Sequence, residues 1–245
     1  MSSPTQLQVL LLAFQDMNIL DLTGPCEVFA HAKAKLTIGA SSEITTSFEG
    51  VSIKRDRSLA SLLDPQDTSS DDTSALPPLE QYDVLVIPGS LFERVLAAIE
   101  HDADICKVIT KWGGLARPPA TASSGNWKNR KPLLTICGGA SFAGHLGLLC
   151  GKPCTTHFLD LEGLGAVCVR AGQKADVVRK RVVDAGETSA GMRVVTSGGV
   201  SCGIDATLWL VGQLVGLDEA KNAARMMDYK WELDVDGDVT EGMLV

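Results

Sequence analysis

Three short apolar runs constrain this chain more than anything else in it. LQVLLLAF (Leu7 to Phe14), the VLVI of YDVLVIPGS, and LLTIC (from Leu133) contain no alternation of polar and apolar residues. A strand with one wet face alternates. A run apolar at every position is covered on both faces, which is the situation of a parallel strand sandwiched by helices. Helical patterns follow each run. In LDLTGPCEVFAHA, Thr23 or Gly24 suits a cap, Pro25 suits a first turn, and Val28, Phe29 and Ala32 share a face. LFERVLAAIE, DADICKVITKW, GASFAGHLGLL, VSCGIDATLWLVGQLVG and LDEAKNAARMMDYKW also read as helices. KLTIGAS and EITTSFEGVSI read as two more strands, and RKRVVDAGETSAGMRVVTSGG as a hairpin. KPCTTHFLDLEGLG reads as a strand or loop followed by a helical turn. The fold class expected is α/β, a mostly parallel sheet with helices on both faces.

The 245 residues suit one such domain spanning 1–245, with no internal repeat. Two polar loops interrupt it, Asp64 to Glu80 and Gly113 to Lys131. The first is acidic and is read as a solvated face. Trp127 in the second is read as a surface residue rather than a lid anchor. A net charge of −8 argues against nucleic acid and against anionic membrane surfaces, since phosphate contacts need Lys and Arg. No apolar run reaches the length of a membrane span, and MSSPTQLQVLLLAF lacks a basic segment and a cleavage site. The seven cysteines are odd in number and scattered, without a CxxC pair. A disulfide framework and a metal site are therefore not expected, and a cytoplasmic location is. The acidic stretch after Trp231 is too short for a fused helix-turn-helix module.

In open parallel sheets ligands bind beyond the carboxyl ends of the strands. Asp21, Gly89 and Cys137 each fall just past an expected strand end, so one sheet brings them to one rim. LLTICGGASFAGHLGL places Cys137 where a buried strand turns directly into a helix. Gly138 and Gly139 supply the small residues that a tight turn needs. Backbone N–H groups and the helix dipole there favour a thiolate. Cys137 is a nucleophile on this reading, or else a small core residue. Asp21, between two leucines, is either a buried proton carrier or a helix cap. His157 in CTTHF either assists the thiol or is structural, and Gly89 either donates its N–H to an oxyanion or simply makes a turn.

Four segments in order, LDLTGPCEVF, YDVLVIPGS, ICGGASFAGHLGLLCGKPCTTHF and RVVTSGGVSCGIDATLWL, resemble the ThiJ/PfpI superfamily, which includes the Parkinsonism-associated deglycase. The resemblance runs from about Gln8 to Leu217. It implies a flavodoxin-like fold related to class I glutamine amidotransferase domains, with Cys137 as the nucleophile at a strand–helix elbow. LDLTGP, GLLCGKPCTTHF and GGVSCGID most resemble the isonitrile (isocyanide) hydratase branch, where Asp21 stands in place of the glutamate usual in other branches. That branch implies hydration of isocyanides to N-substituted formamides. Cys137 would attack, Asp21 would move protons, His157 would sit near the thiol, and Gly89, Ser90 and Gly138 would line the substrate. No cofactor, a small-molecule substrate and a homodimer go with the resemblance. Glyoxalase- or deglycase-like chemistry on α-oxoaldehydes with the same Cys and acid is the alternative activity, and a reading of another class is a redox sensor in which an activated Cys137 is oxidised and nothing is turned over. Two positions depart from the branch: Gly138 replaces a threonine at the elbow, and Ser90 replaces the second glycine of the commoner PGG.

Overall fold

The computed structural model describes residues 6–64, 76–116 and 127–231. Most of the expected loop 64–80, much of 113–131 and the acidic stretch after Trp231 lie outside the described residues. The strands are β1 (Gln8–Leu12), β2 (Lys35–Ala40), β3 (Ile44–Thr46), β4 (Ser52–Lys54), β5 (Arg57–Ser58), β6 (Val84–Ile87), β7 (Leu133–Thr135), β8 (Pro153–Cys154), β9 (Asp176–Val177), β10 (Val182–Glu187) and β11 (Arg193–Ser197). The helices are α1 (Ile19–His31), α2 (Leu59–Leu63), α3 (Phe92–His101), α4 (Ala103–Gly114), α5 (Ala140–His145), α6 (Leu161–Arg170), α7 (Cys202–Leu214) and α8 (Leu217–Met226).

Seven strands form one sheet in the order β10-β11-β7-β6-β1-β2-β5. All neighbours are parallel except β10 and β11, which form the expected hairpin with a bulge between Asp184 and Gly186. The three apolar runs are the three central strands, and β6 and β7 are buried at every position. Helices α1, α7 and α8 pack together, as do α2 with α4 and α3 with α4 and α5. This is the flavodoxin-like α/β fold. The chain leaves β1 for β2 on one side and reaches β6 on the other. The carboxyl ends of β1 and β6 therefore flank a topological switch point, the usual place for a ligand in such sheets. No helix among the described residues is long and apolar enough to cross a membrane.

Three local readings need correction. EITTSFEGVSI is not one strand: β3 and β4 pair antiparallel in a small separate sheet, turning at Gly50, whose φ is 85°. α1 begins before the Thr23-Gly24-Pro25 signal, because the Asn18 side chain accepts the Leu20 N–H at 3.1 Å and caps the helix there. Pro25 thus lies inside α1 and removes the N–H that would otherwise bond the Asp21 carbonyl. Trp127 is not a bare surface residue. Its ring meets Trp209 edge-on at 5.4 Å and carries the Arg193 guanidinium at 4.7 Å.

Candidate active site

β7 runs out at Thr135, and Cys137–Gly139 forms a 3-10 turn that feeds α5. Cys137 has φ 54°, left-handed backbone that costs an L-residue roughly 1–2 kcal/mol. Hydrogen bonds hold it there. The Ile136 N–H reaches the Ile87 carbonyl at 3.0 Å, the Cys137 N–H reaches the Gly198 carbonyl at 3.1 Å, and the buried Thr156 hydroxyl donates to the Cys137 carbonyl at 2.8 Å. The elbow is thus pinned to β6 on one side and to the β11–α7 loop on the other.

Space at this turn is set by backbone. A Cβ on Gly138 would stand 2.5 Å from the Ser90 carbonyl oxygen, and one on Gly89 would stand 2.5 Å from the Ile136 carbonyl and 2.6 Å from the Gly138 nitrogen. Neither neighbour is a flexible side chain that gives way. Both glycines are therefore required by the approach of the β6 and β7 exits.

Asp21 sits in the first turn of α1 and is fully buried. Its Oδ2 accepts the Gly89 N–H at 3.0 Å, while Oδ1 has no hydrogen-bond partner among the described residues. Loss of hydration dominates. It pushes the carboxyl from 3.8 up to about 7, against the pull of the Gly89 N–H and of the neighbouring Cys137. The thiol is pushed up as well, to about 12, first by burial and then by the Asp21 charge. The N–H groups of Val200 and Gly138 bond to it and draw it down, but by less. The expectation that the elbow by itself favours a thiolate is therefore corrected. α5 has only six residues, and a helix dipole contributes at most a kcal/mol or so, too little to offset burial beside a carboxylate. Asp21 and Cys137 act as one unit, which between about pH 7 and 12 carries a single proton.

The other expected residues take different places. The Gly89 N–H, expected to face an oxyanion, is used by Asp21. The Ser90 hydroxyl donates to the Asp16 carbonyl, tying the β6 exit to the β1–α1 loop, while Ser90 still lines the cavity over the thiol. Gly138 contributes its N–H at the sulfur. His157 lines the same cavity, half-buried, and its Nδ1 lies 3.4 Å from the Leu159 nitrogen. Residues not anticipated are Val200, whose N–H reaches the sulfur from a strained φ of 26°, and Asp160, whose charge reaches both His157 and Cys137. SGGVS hinted at Val200 through its paired glycines. Asp160, just before α6, carried only the signal of an acid ahead of a helix.

Above the sulfur is a cavity of about 100 Å³, walled by Phe48, Leu91, Leu159 and Val200 with Asn18, Ser90, His157 and Asp160. It is smaller than the ~150 Å³ void that takes up benzene. A compact reactive head fits in it beside the thiol, and the rest of a substrate has to lie outside.

No family model matches the chain. An isonitrile hydratase of Pseudomonas putida is 27% identical over 228 residues, covering 91% of this chain and 78% of that protein. A solved ThiJ/PfpI family protein from Pseudomonas syringae superposes with a TM-score of 0.66 and 25% identity, over 93% of this chain and 76% of that one. Oxidized DJ-1 from Toxoplasma gondii superposes with a TM-score of 0.65 and 19% identity, over 92% and 100%.

Proposed function

The chain belongs to the ThiJ/PfpI superfamily, and from that premise we propose that it hydrates isocyanides to N-substituted formamides through Cys137. The observation that carries this reading is the buried Asp21–Cys137 pair sharing one proton beneath a small, mostly apolar cavity. An isocyanide needs a nucleophile and a proton delivered to the same terminal carbon, and the singly protonated pair holds both. The likeness to the Pseudomonas putida isonitrile hydratase supports the choice of substrate.

The thiol proton passes to Asp21, and the thiolate attacks the terminal carbon of R–N≡C. As the S–C bond forms, the Asp21 proton goes to that carbon, leaving the thioimidate R–N=CH–S–Cys137. Asp21, now a carboxylate, takes a proton from a water whose oxygen adds to the carbon, and that proton passes to nitrogen. The C–S bond then breaks, the formamide R–NH–CHO departs, and the hydroxyl proton returns to the Asp21–Cys137 pair. The N–H groups of Val200 and Gly138 hold charge on the sulfur at both ends of the cycle.

Cyclohexyl isocyanide is the test substrate, with formamide followed by chromatography. Cys137→Ala and Asp21→Asn each lose at least about a thousandfold in kcat/KM. In the wild-type chain kcat/KM rises with pH and levels off above about 7, where Asp21 gives up the second proton of the pair. Lactate from methylglyoxal without isocyanide turnover would move the reading to α-oxoaldehyde chemistry. Peroxide oxidation confined to Cys137, with neither substrate consumed, would move it to a redox sensor.

A further inference from the structure

The β3–β4 hairpin stands outside the main sheet and supplies none of the reacting groups. It is nevertheless tied to the loop between β1 and α1. The Asp16 N–H reaches the Thr46 carbonyl at 2.9 Å, the Phe48 N–H reaches the Met17 carbonyl at 2.8 Å, and the Glu49 carboxylate accepts the Ile19 N–H at 3.0 Å. Those bonds fix the hairpin turn beside the segment that carries Asn18 and Asp21. They bring one aromatic residue, Phe48, to the wall of the cavity over Cys137. Phe48 is 49% exposed, so burial in a core does not explain its place. The Arg94 guanidinium, on α3, lies over its ring at 4.3 Å. Held through its backbone on one side and by a cation on the other, the ring is a stiff wall. Leu91 and Leu159 wall the same cavity but are 53% and 74% exposed, with solvent to turn into.

In R–N≡C the terminal carbon, the nitrogen and the first carbon of R lie in a line. With the terminal carbon at the Cys137 sulfur, that first carbon of R comes up against the walls of a space of only about 100 Å³. From the clamped ring in that wall, and resting on the hydratase reading above, we infer that Phe48 is a specificity-determining residue, which excludes isocyanides whose carbon next to nitrogen bears three further carbons. An unbranched chain leaves the cavity past the ring. A secondary carbon, as in cyclohexyl, turns its one hydrogen to the ring. A tertiary carbon has no slim side to present. Moving Phe48 aside to admit it would disturb the bond to Met17 or the contact with Arg94, so the exclusion is built into the hairpin. Arg94 acts through the ring as a positioning residue.

n-Butyl and tert-butyl isocyanide are isomers that differ only in that branch. In the unsubstituted chain kcat/KM for the n-butyl isomer is expected to exceed that for the tert-butyl isomer at least about tenfold. In Phe48→Ala the ratio falls towards one because turnover of the tert-butyl isomer rises, a gain that damage to the fold does not produce. Arg94→Met leaves the ring in place but unclamped, and lowers the ratio severalfold. A ratio near one in the unsubstituted chain overturns the inference, and so does a Phe48→Ala variant that slows the n-butyl isomer without speeding the other. If neither isomer is hydrated, the hydratase reading fails, and calorimetry on Cys137→Ala still decides the wall. There N-butylformamide binds at least about tenfold more tightly than N-tert-butylformamide, and adding Phe48→Ala erases the difference. Equal binding of the two formamides, or none, overturns the inference.

Discussion

Asp21 and Asp205 occupy nearly equivalent positions with opposite outcomes. Each stands in the first turn of a helix that follows a strand of the same sheet, and each is buried, at 0% and 4% exposure. Asp205 accepts from the Arg181 guanidinium and from the Tyr229 hydroxyl at 3.0 Å. Burial raises its carboxyl, and those two partners pull it back. Asp21 has one backbone N–H, the neighbouring Cys137 thiol, and an Oδ1 with no partner among the described residues. The first is a clamp between β10, α7 and the segment after α8. The second is left short of partners beside a thiol. Burial of a carboxylate does not by itself mark a reactive group. Burial with no cationic partner, next to a group able to exchange a proton, is what separates the two.

Substituting each aspartate by asparagine tests that contrast most strongly. Raising Asp21 from 3.8 to about 7 means that the folded state binds a proton which the unfolded state has released between those pH values. Stability contributed by this group is therefore present at low pH, falls as pH rises from about 4 to 7, and stays lost above, a cost of about 4 kcal/mol. Asp21→Asn removes that cost while abolishing turnover. At pH 8 its urea midpoint should rise, and the stability gap to wild type should close towards pH 4. Asp205→Asn should lower the midpoint at pH 8, with a stability loss of about 3 kcal/mol, because it removes the carboxylate to which the Arg181 guanidinium donates. If both variants are destabilised alike at pH 8, Asp21 is another clamp and the contrast fails.

Gly138→Ala sharpens the comparison from the other side. The added Cβ would press on the Ser90 carbonyl at 2.5 Å, and the residue before Ser90 supplies the N–H that holds Asp21. The strain is delivered to the Asp21–Cys137 pair proposed to react and not to the Arg181–Asp205–Tyr229 clamp. We expect kcat/KM to fall by about a hundredfold, as displacements near 1 Å do, with a stability loss of about 1–3 kcal/mol. Gly138→Thr, which installs the hydroxyl that the hydratase resemblance leads one to expect at the elbow, should do no better, because the same carbonyl meets the same Cβ. Threonine at this position with full activity would show that the β6 exit yields easily and that the elbow is less constrained than its contacts imply.

These constraints also explain what was legible in the sequence. The central strands announced themselves, since a parallel strand covered on both faces is mostly apolar and shows no alternation. The β3–β4 hairpin did not, because it lies outside the main sheet and most of its positions are exposed or half-exposed, leaving little pattern to read. The start of α1 was hidden because Asn18 caps it seven residues before Pro25, and the packing of α1 tolerates the proline inside. The meeting of Cys137, Asp21 and Gly89 at one rim was legible through their places just past strand ends, whereas the use of the Gly89 N–H by Asp21 was not. Val200 meets the sulfur through a backbone N–H, so its own side chain carries no signal and only the paired glycines before it hint at the turn. The ionisation of the thiol was misjudged for a related reason. The helix dipole and local N–H groups are visible from the sequence, whereas desolvation and the Asp21 charge arise only once distant segments meet.

The smallest expected effect comes from Thr156→Val. Thr156 is buried, and its hydroxyl donates to the Cys137 carbonyl at 2.8 Å, an interaction that neither charges nor contacts the substrate. Valine keeps the shape and loses one neutral hydrogen bond, worth about 1 kcal/mol in stability. The elbow then depends on the Ile136, Cys137 and Gly139 N–H bonds to hold its left-handed turn. If the turn is part of how the thiol is aimed, kcat falls severalfold with KM little changed, and the pH at which kcat/KM levels off stays where Asp21 sets it. A shift in that pH would instead show that Thr156 reaches the proton-sharing pair, and the line drawn between the reactive carboxylate and its structural surroundings would have to move.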